Sequence, residues 1–282
     1  MTFDAARLGN SGRAYAAADA ENRAALVGYL PVGYPDVATS VDAIVALTQG
    51  TDGVGCDVIE IGMPYSDPVM DGVAIQRAGT AALERGVRTR DVFTAVSAVA
   101  ATGTPALVMT YWNLVDHYGV RAFARDFAAA GGAGLITPDL TPDEADEWMA
   151  TSDEYGLDRV FLVAPSSTDE RIASTLAACR GWVYATSVMG VTGARSETSV
   201  AAPTLVRRIR DIDGTLPIGV GLGVSNGDQA ASVGSAADGV IVGSALVSTL
   251  LAAEAAGTPS DLTALRALVS DLAAGVRRAE RP

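Results

Sequence analysis

Residues 58–64 read Val58-Ile59-Glu60-Ile61-Gly62-Met63-Pro64, a short apolar run interrupted by a single carboxylate. Side chains alternate faces along a strand, so Val58, Glu60 and Gly62 share one side while Ile59, Ile61 and Met63 share the other. The large apolar set suits an interface between a strand and a covering helix, which turns Glu60 the other way, into the interior of a barrel. Seven further runs of this kind are ALVGYLPVG from Ala25, ALVMTYW from Ala106, GLITPD from Gly134, VFLVAP from Val160, WVYATS from Trp182, IGVGLG from Ile218 and GVIVGSALV from Gly239. Between them lie Ala-rich stretches of helical character, among them DVATSVDAIVALTQ, RDVFTAVSAVAAT, GVRAFARDFAAAG, TPDEADEWMATSDEYG and SVAAPTLVRRIRD. Eight alternating strand and helix signals over about 250 residues predict an α/β fold, a closed (β/α)8 TIM barrel.

A doubly wound open sheet is the structural rival. Its glycine fingerprint after the first strand is missing, because Gly33-Tyr34-Pro35 runs into Asp36 and Val37. No Pro/Gly/Ser-rich linker divides the chain, so residues 1–282 read as one domain. Residues 4–22 stand outside the eight units and read as an extra N-terminal helix capping the barrel bottom. The stretch from Leu262 to Arg278, apolar at helical spacing, reads as the last outer helix.

Composition removes several chemistries. All 20 basic residues are Arg, so an imine-forming amine, a covalent anchor for pyridoxal phosphate and a P-loop are all unavailable. His117, Cys56 and Cys179 cannot assemble a zinc site from several His or Cys ligands. Only a carboxylate-rich magnesium or calcium site stays open, and no metal is expected. Two cysteines in a chain this long read as buried thiols in a reducing compartment. A net charge of −13 opposes binding to nucleic acid or to an anionic membrane. The start of the chain lacks the apolar core of a signal peptide. The longest uncharged stretch, Val92 to Val115, is interrupted by Gly103-Thr104-Pro105 and reads as helix, loop and strand. The expected location is the cytoplasm.

In a barrel of this type chemistry belongs at the C-terminal ends of the strands. Burial would raise the pKa of Glu60 towards the range useful for acid/base work; the alternative is a structural carboxylate bonded to amides or an Arg. The following loop, Pro64-Tyr65-Ser66-Asp67-Pro68-Val69-Met70-Asp71-Gly72, brings more carboxylates to the same mouth. Asp71 and Glu60 can divide labour, one moving protons and one staying ionised, although Asp-Pro and Asp-Gly are also ordinary turn dipeptides. The polar loop from Ser187 to Thr198 reads as a lid or a passive surface loop. Gly221-Leu222-Gly223-Val224-Ser225 and Val242-Gly243-Ser244 end the last two strands, where such barrels hold phosphate, and either could instead be a tight turn. Amide donors at about 1.5–3 kcal/mol each could anchor a phosphate without a cationic side chain. Tyr184 is core or pocket wall, and His117 reads as a surface or capping residue.

Taken together, IEIGMPYSDPVMDG at 59–72, LITPDL at 135–140, FLVAPSS at 161–167, GVTGA at 190–194, GLGVS at 221–225 and GVIVGSA at 239–245 resemble the tryptophan synthase alpha chain family over nearly the whole sequence. The resemblance implies retro-aldol cleavage of indole-3-glycerol phosphate into indole and glyceraldehyde 3-phosphate. On matching positions Glu60 would be the acid/base, and Asp71 would hold the indole N–H and stabilise the positive charge developing on the ring. Thr192 would bond Asp71 on lid closure, while Tyr184, Tyr29, Met109 and Tyr111 would line the pocket. Gly193, Gly223, Gly243 and Ser244 would form the phosphate cradle. The resemblance further implies a beta-chain partner carrying pyridoxal phosphate, with no cofactor on this chain. Assembly as an alpha2-beta2 complex would use a docking face around Pro64, Asp67 and Asn113. Tyr29 and Tyr65 stand where Phe is frequent in the family. An indole-glycerol phosphate synthase would need a lysine, phosphoribosyl isomerases lack the SDP and GVTG contexts, and a purely regulatory subunit would not require Glu60 and Asp71.

Overall fold

Strands whose two faces are both apolar can be buried only between an inner core and an outer layer of helices. In the computed structural model, which describes residues 2–186, 198–221 and 223–281, the predicted runs become β1 (Ala25–Pro31), β2 (Val58–Gly62), β3 (Ala106–Met109), β4 (Gly134–Ile136), β5 (Asp158–Val160), β6 (Leu162–Val163), β7 (Val183–Thr186), β8 (Ile218–Gly221) and β9 (Gly239–Val242). All are parallel, in the order β5-β4-β3-β2-β1-β9-β8-β7-β6. The two ends of that order are halves of one run, parted at Phe161, with β5 on β4 and β6 on β7. The Phe161 carbonyl still accepts the Tyr184 N–H at 3.1 Å, so the eight predicted units form a nearly closed TIM barrel.

The inner face carries Ala25, Val27, Val58, Leu107, Ile136, Val160, Trp182 and Ile241. Alternate residues such as Leu26, Ile59, Ile61, Val108 and Val240 pack outward against the helices. The lower end is closed by α1 (Gly12–Ala20), whose Tyr15 stacks on Trp182 with ring centroids 5.3 Å apart. Gly219 leaves room for this phenol, since a Cβ there would sit 2.6 Å from its hydroxyl. The helix covers only part of the predicted 4–22 span. Residues preceding it are drawn to the fully buried Asp158, which accepts the Asn10 and Ser11 N–H groups and the Ser11 hydroxyl.

The outer helices include α2 (Val37–Ala46), α4 (Asp91–Ala100), α6 (Val120–Ala129), α7 (Asp146–Tyr155), α8 (Asp169–Ala178), α9 (Thr198–Ile212), α10 (Gly227–Gly234) and α12 (Thr263–Arg278). Three more, α3 (Val73–Glu84), α5 (Trp112–Tyr118) and α11 (Ser244–Ala255), come first after β2, β3 and β9 and so begin near the mouth. Helices α3 and α11 pack against each other. Cys56 and Cys179 are free, buried thiols. Among the described residues no helix is long and apolar enough to cross a membrane, and no group of three or more His, Cys, Asp or Glu could hold a metal ion.

Candidate active site

Glu60 lies on the inner wall, opposite Tyr29 of β1 and Leu107 of β3 in the strand register. It is 1% exposed, and its Oε2 has no hydrogen-bond partner among the described residues. A purely structural carboxylate would need donors there. Burial, reinforced by the negative charge of Asp71, pushes the Glu60 carboxyl up to about 8. At neutral pH it is mostly a neutral acid.

Asp71 is half-buried at the end of the loop after β2, and burial pushes its carboxyl up to about 6. The loop is held at several points. The Tyr111 hydroxyl accepts the Met70 N–H at 2.9 Å, and the Tyr65 ring stacks on Tyr111 with centroids 4.8 Å apart. Gln76 of α3 donates to the Asp71 carbonyl at 2.8 Å, fixing the backbone just before that helix begins. Two carboxyls on one strand-loop unit therefore sit in environments that separate their proton affinities by about two pH units.

Two phenols, buried Tyr29 and half-buried Tyr184, lie near this pair. Tyr29 feels Asp71 and then Glu60 as its strongest charged neighbours, Tyr184 feels Glu60 and then Asp71, and burial raises both well above the usual tyrosine range. Glycines make room for them. A Cβ at Gly62 would collide with the Tyr29 hydroxyl, and one at Gly221 would sit 2.6 Å from the Tyr184 hydroxyl. Met109 is half-buried on β3, beside Gly62 in the register. Tyr29, Met63, Pro64, Tyr65 and Asp71 also line a solvent-open depression between the mouth and α3.

The glycine motifs lie across the mouth. Gly223 has φ +67°, a conformation that favours glycine, and no atom lies within 4 Å of where its Cβ would be. Gly243 precedes α11, and a Cβ there would sit 3.3 Å from the Tyr29 ring. Because Val247 makes the helix-opening bond to the Gly243 carbonyl, the N–H groups of Ser244 to Leu246 are those a helix start leaves for a ligand. Ser225 offers less, because Gln229 accepts both its N–H and its hydroxyl.

Thr192 and Gly193 lie outside the described residues. Pro64 is buried, whereas Asp67 and Asn113 are exposed; the loop after β2 exposes Val69 at 74%, and the first residue of α3 exposes Val73 at 64%. His117 is exposed in the last turn of α5. Sequence reasoning missed the parts of Tyr65 and Gln76 in holding the Asp71 loop. The Tyr65 contact joins two loops and leaves no periodic signal, while Gln76 is legible only once α3 is placed.

A family model described as tryptophan synthase alpha chain matches residues 15–277. A tryptophan synthase alpha chain from Mycobacterium marinum is 58% identical over 282 residues, 100% of each chain. One from Mycolicibacterium paratuberculosis is 62% identical over 258 residues, 92% of this chain and 91% of the relative. The solved tryptophan synthase of Mycobacterium tuberculosis superposes with a TM-score of 0.86 at 58% identity, over 95% of this chain and 98% of that one. The alpha subunit from Legionella pneumophila gives 0.82 at 29% identity, again over 95% and 98%.

Proposed function

The chain belongs to the tryptophan synthase alpha chain family, and from that premise we propose how its residues divide the reaction. It is a lyase that cleaves indole-3-glycerol phosphate and passes indole to a beta chain for tryptophan biosynthesis. The retro-aldol step breaks the bond between indole C3 and the side-chain carbon that carries the hydroxyl. Neutral Glu60 gives its proton to indole C3, and the positive charge that develops on the ring nitrogen is met by ionised Asp71. The Glu60 carboxylate then takes the hydroxyl proton as the C–C bond breaks, its electron pair returning to the ring. Indole and glyceraldehyde 3-phosphate leave, and Glu60 ends protonated as it began.

One observation carries this division: a buried carboxyl, its Oε2 without a hydrogen-bond partner among the described residues, is pushed up to about 8 by burial and by the charge of a second carboxyl, itself pushed up to about 6. Tyr29, Tyr184, Met109 and Tyr111 bound the indole end. Gly223, Gly243 and Ser244, joined by Gly193, hold the phosphate through backbone N–H groups, and Thr192 bonds Asp71 when the lid closes. In this family pyridoxal phosphate belongs to the beta subunit, in keeping with a chain that has no lysine to bind it. The docking face around Pro64, Asp67 and Asn113 draws support from the exposed Val69 and Val73, and the assembly is an alpha2-beta2 complex in the cytoplasm.

The test is the pH profile of kcat/KM for indole formation by the full chain. Activity requires Asp71 ionised and Glu60 protonated, so the profile is a bell with limbs near pH 6 and pH 8. A rate that keeps rising above pH 8 would contradict the proposed order of proton transfers.

A further inference from the structure

The two helices that frame the chamber are tied together at their far ends. Glu254, in the last turn of α11, accepts a hydrogen bond from the Tyr34 hydroxyl in the loop after β1. Its other carboxylate oxygen lies 2.7 Å from a guanidinium nitrogen of Arg85, the residue that ends α3. Arg85 also donates to the Pro35 carbonyl at 2.9 Å and covers the Tyr34 ring, 5.5 Å from its centroid. Tyr34 itself is 1% exposed. One carboxylate therefore joins three elements, and each also carries a different part of the site. Strand β1 carries Tyr29, α3 begins directly after Asp71, and α11 begins at Gly243 and Ser244.

We propose that Arg85, Glu254 and Tyr34 are positioning residues, a clamp that fixes the separation between Asp71 and the N-terminus of α11. The site then selects a ligand by the length of the chain joining its indole to its phosphate. This rests on the reading of Asp71 as the indole N–H acceptor and of the α11 N-terminus as part of the phosphate cradle. The physical argument concerns connection. A free indole or a free phosphate occupies one pole and is indifferent to the distance between poles. A ligand carrying both gains its second contact as an intramolecular event, and that gain depends on the distance being right. Arg85 and Glu254 have side chains 43% and 33% exposed, so the clamp adjusts affinity by a modest factor.

The experiment measures binding of three probes to the full chain: indole, inorganic phosphate, and an indole joined to a phosphate through three carbons without hydroxyls. In Glu254→Ala and Arg85→Met the joined probe is expected to weaken about threefold to tenfold, with indole and phosphate each within about twofold of wild type. The lyase KM rises in step while kcat holds, and Glu254→Gln, which keeps an acceptor for Tyr34, recovers part of the loss. An unchanged joined probe, or equal weakening of all three, overturns the clamp. Arg85→Met stands alone if Glu254→Ala does not fold. Gly243→Val separates the underlying reading: unchanged phosphate affinity there sinks the cradle and the clamp together. Loss of phosphate binding in Gly243→Val with normal joined-probe binding in the clamp variants sinks the clamp alone.

Discussion

A carboxyl oxygen buried without a donor opposes folding whenever the group is charged, and among the described residues Glu60 Oε2 is such an atom. In the unfolded chain a glutamate titrates near 4.3, whereas burial and Asp71 push Glu60 up to about 8 in the fold. The folded state therefore holds this proton more tightly. Its contribution to stability is complete below about pH 4.3 and is lost as pH rises through about 8. Glu60→Gln supplies a neutral side chain of nearly the same shape, so it is expected to leave stability almost unchanged at pH 4. At pH 9 the variant should be more stable than wild type by on the order of a few kcal/mol. Denaturant unfolding at the two pH values checks this, and a variant less stable than wild type at pH 9 would show that Glu60 has a stabilising partner when ionised. The same desolvation that strains the fold keeps Glu60 protonated at neutral pH, as the proposed acid must be.

At the scale of elements, most strands were legible because they are apolar on both faces, and the period-two reading of residues 58–64 was enough to turn Glu60 inward; β5, with Asp158 and Arg159, shows the apolar signal only from Val160 onward. The loop from Pro64 to Gly72 stood out by its carboxylates. Helices α3 and α5 are less legible, since they begin straight from polar loops, and α3 is set by its packing on α11 and β1. The predicted capping helix came out shorter because Asp158, distant in sequence, draws residues 10 and 11 into a different geometry. The hold of Tyr111 on the Met70 N–H likewise depends on two loops meeting. Strand glycines show how tightly the elements fit. At Gly62 a Cβ would collide with the Tyr29 hydroxyl, while the Tyr29 ring already lies near Gly243 at the start of α11. Gly62→Ala should therefore move Tyr29, destabilise the fold by about 1–3 kcal/mol and raise the substrate KM about tenfold. Wild-type KM in that variant would mean that Tyr29 does not bound the indole pocket.

The whole molecule separates stability from chemistry along the barrel axis. Arginines serve the N-terminal ends of the strands: Arg23 grips Asp57 with two bonds of 2.7 and 2.8 Å just before β1 and β2, and Arg210 and Arg281 meet at the buried Asp238 before β9. The opposite end carries the unpartnered acid, the half-buried Asp71 and the glycine-lined start of α11. This is the usual division of such barrels, where the lower face holds the fold and the upper face varies. Absence of lysine is compatible with the proposed division, in which cleavage uses carboxyls and the indole ring; in this family pyridoxal phosphate belongs to the beta subunit. The proposed cleavage depends most on Glu60 acting as the acid. Its most direct test is indole release from indole-3-glycerol phosphate by Glu60→Gln, assayed as the full chain with its beta chain bound. The predicted result is a fall in kcat of at least about a hundredfold to ten-thousandfold, with assembly intact; turnover at the wild-type rate would contradict the account.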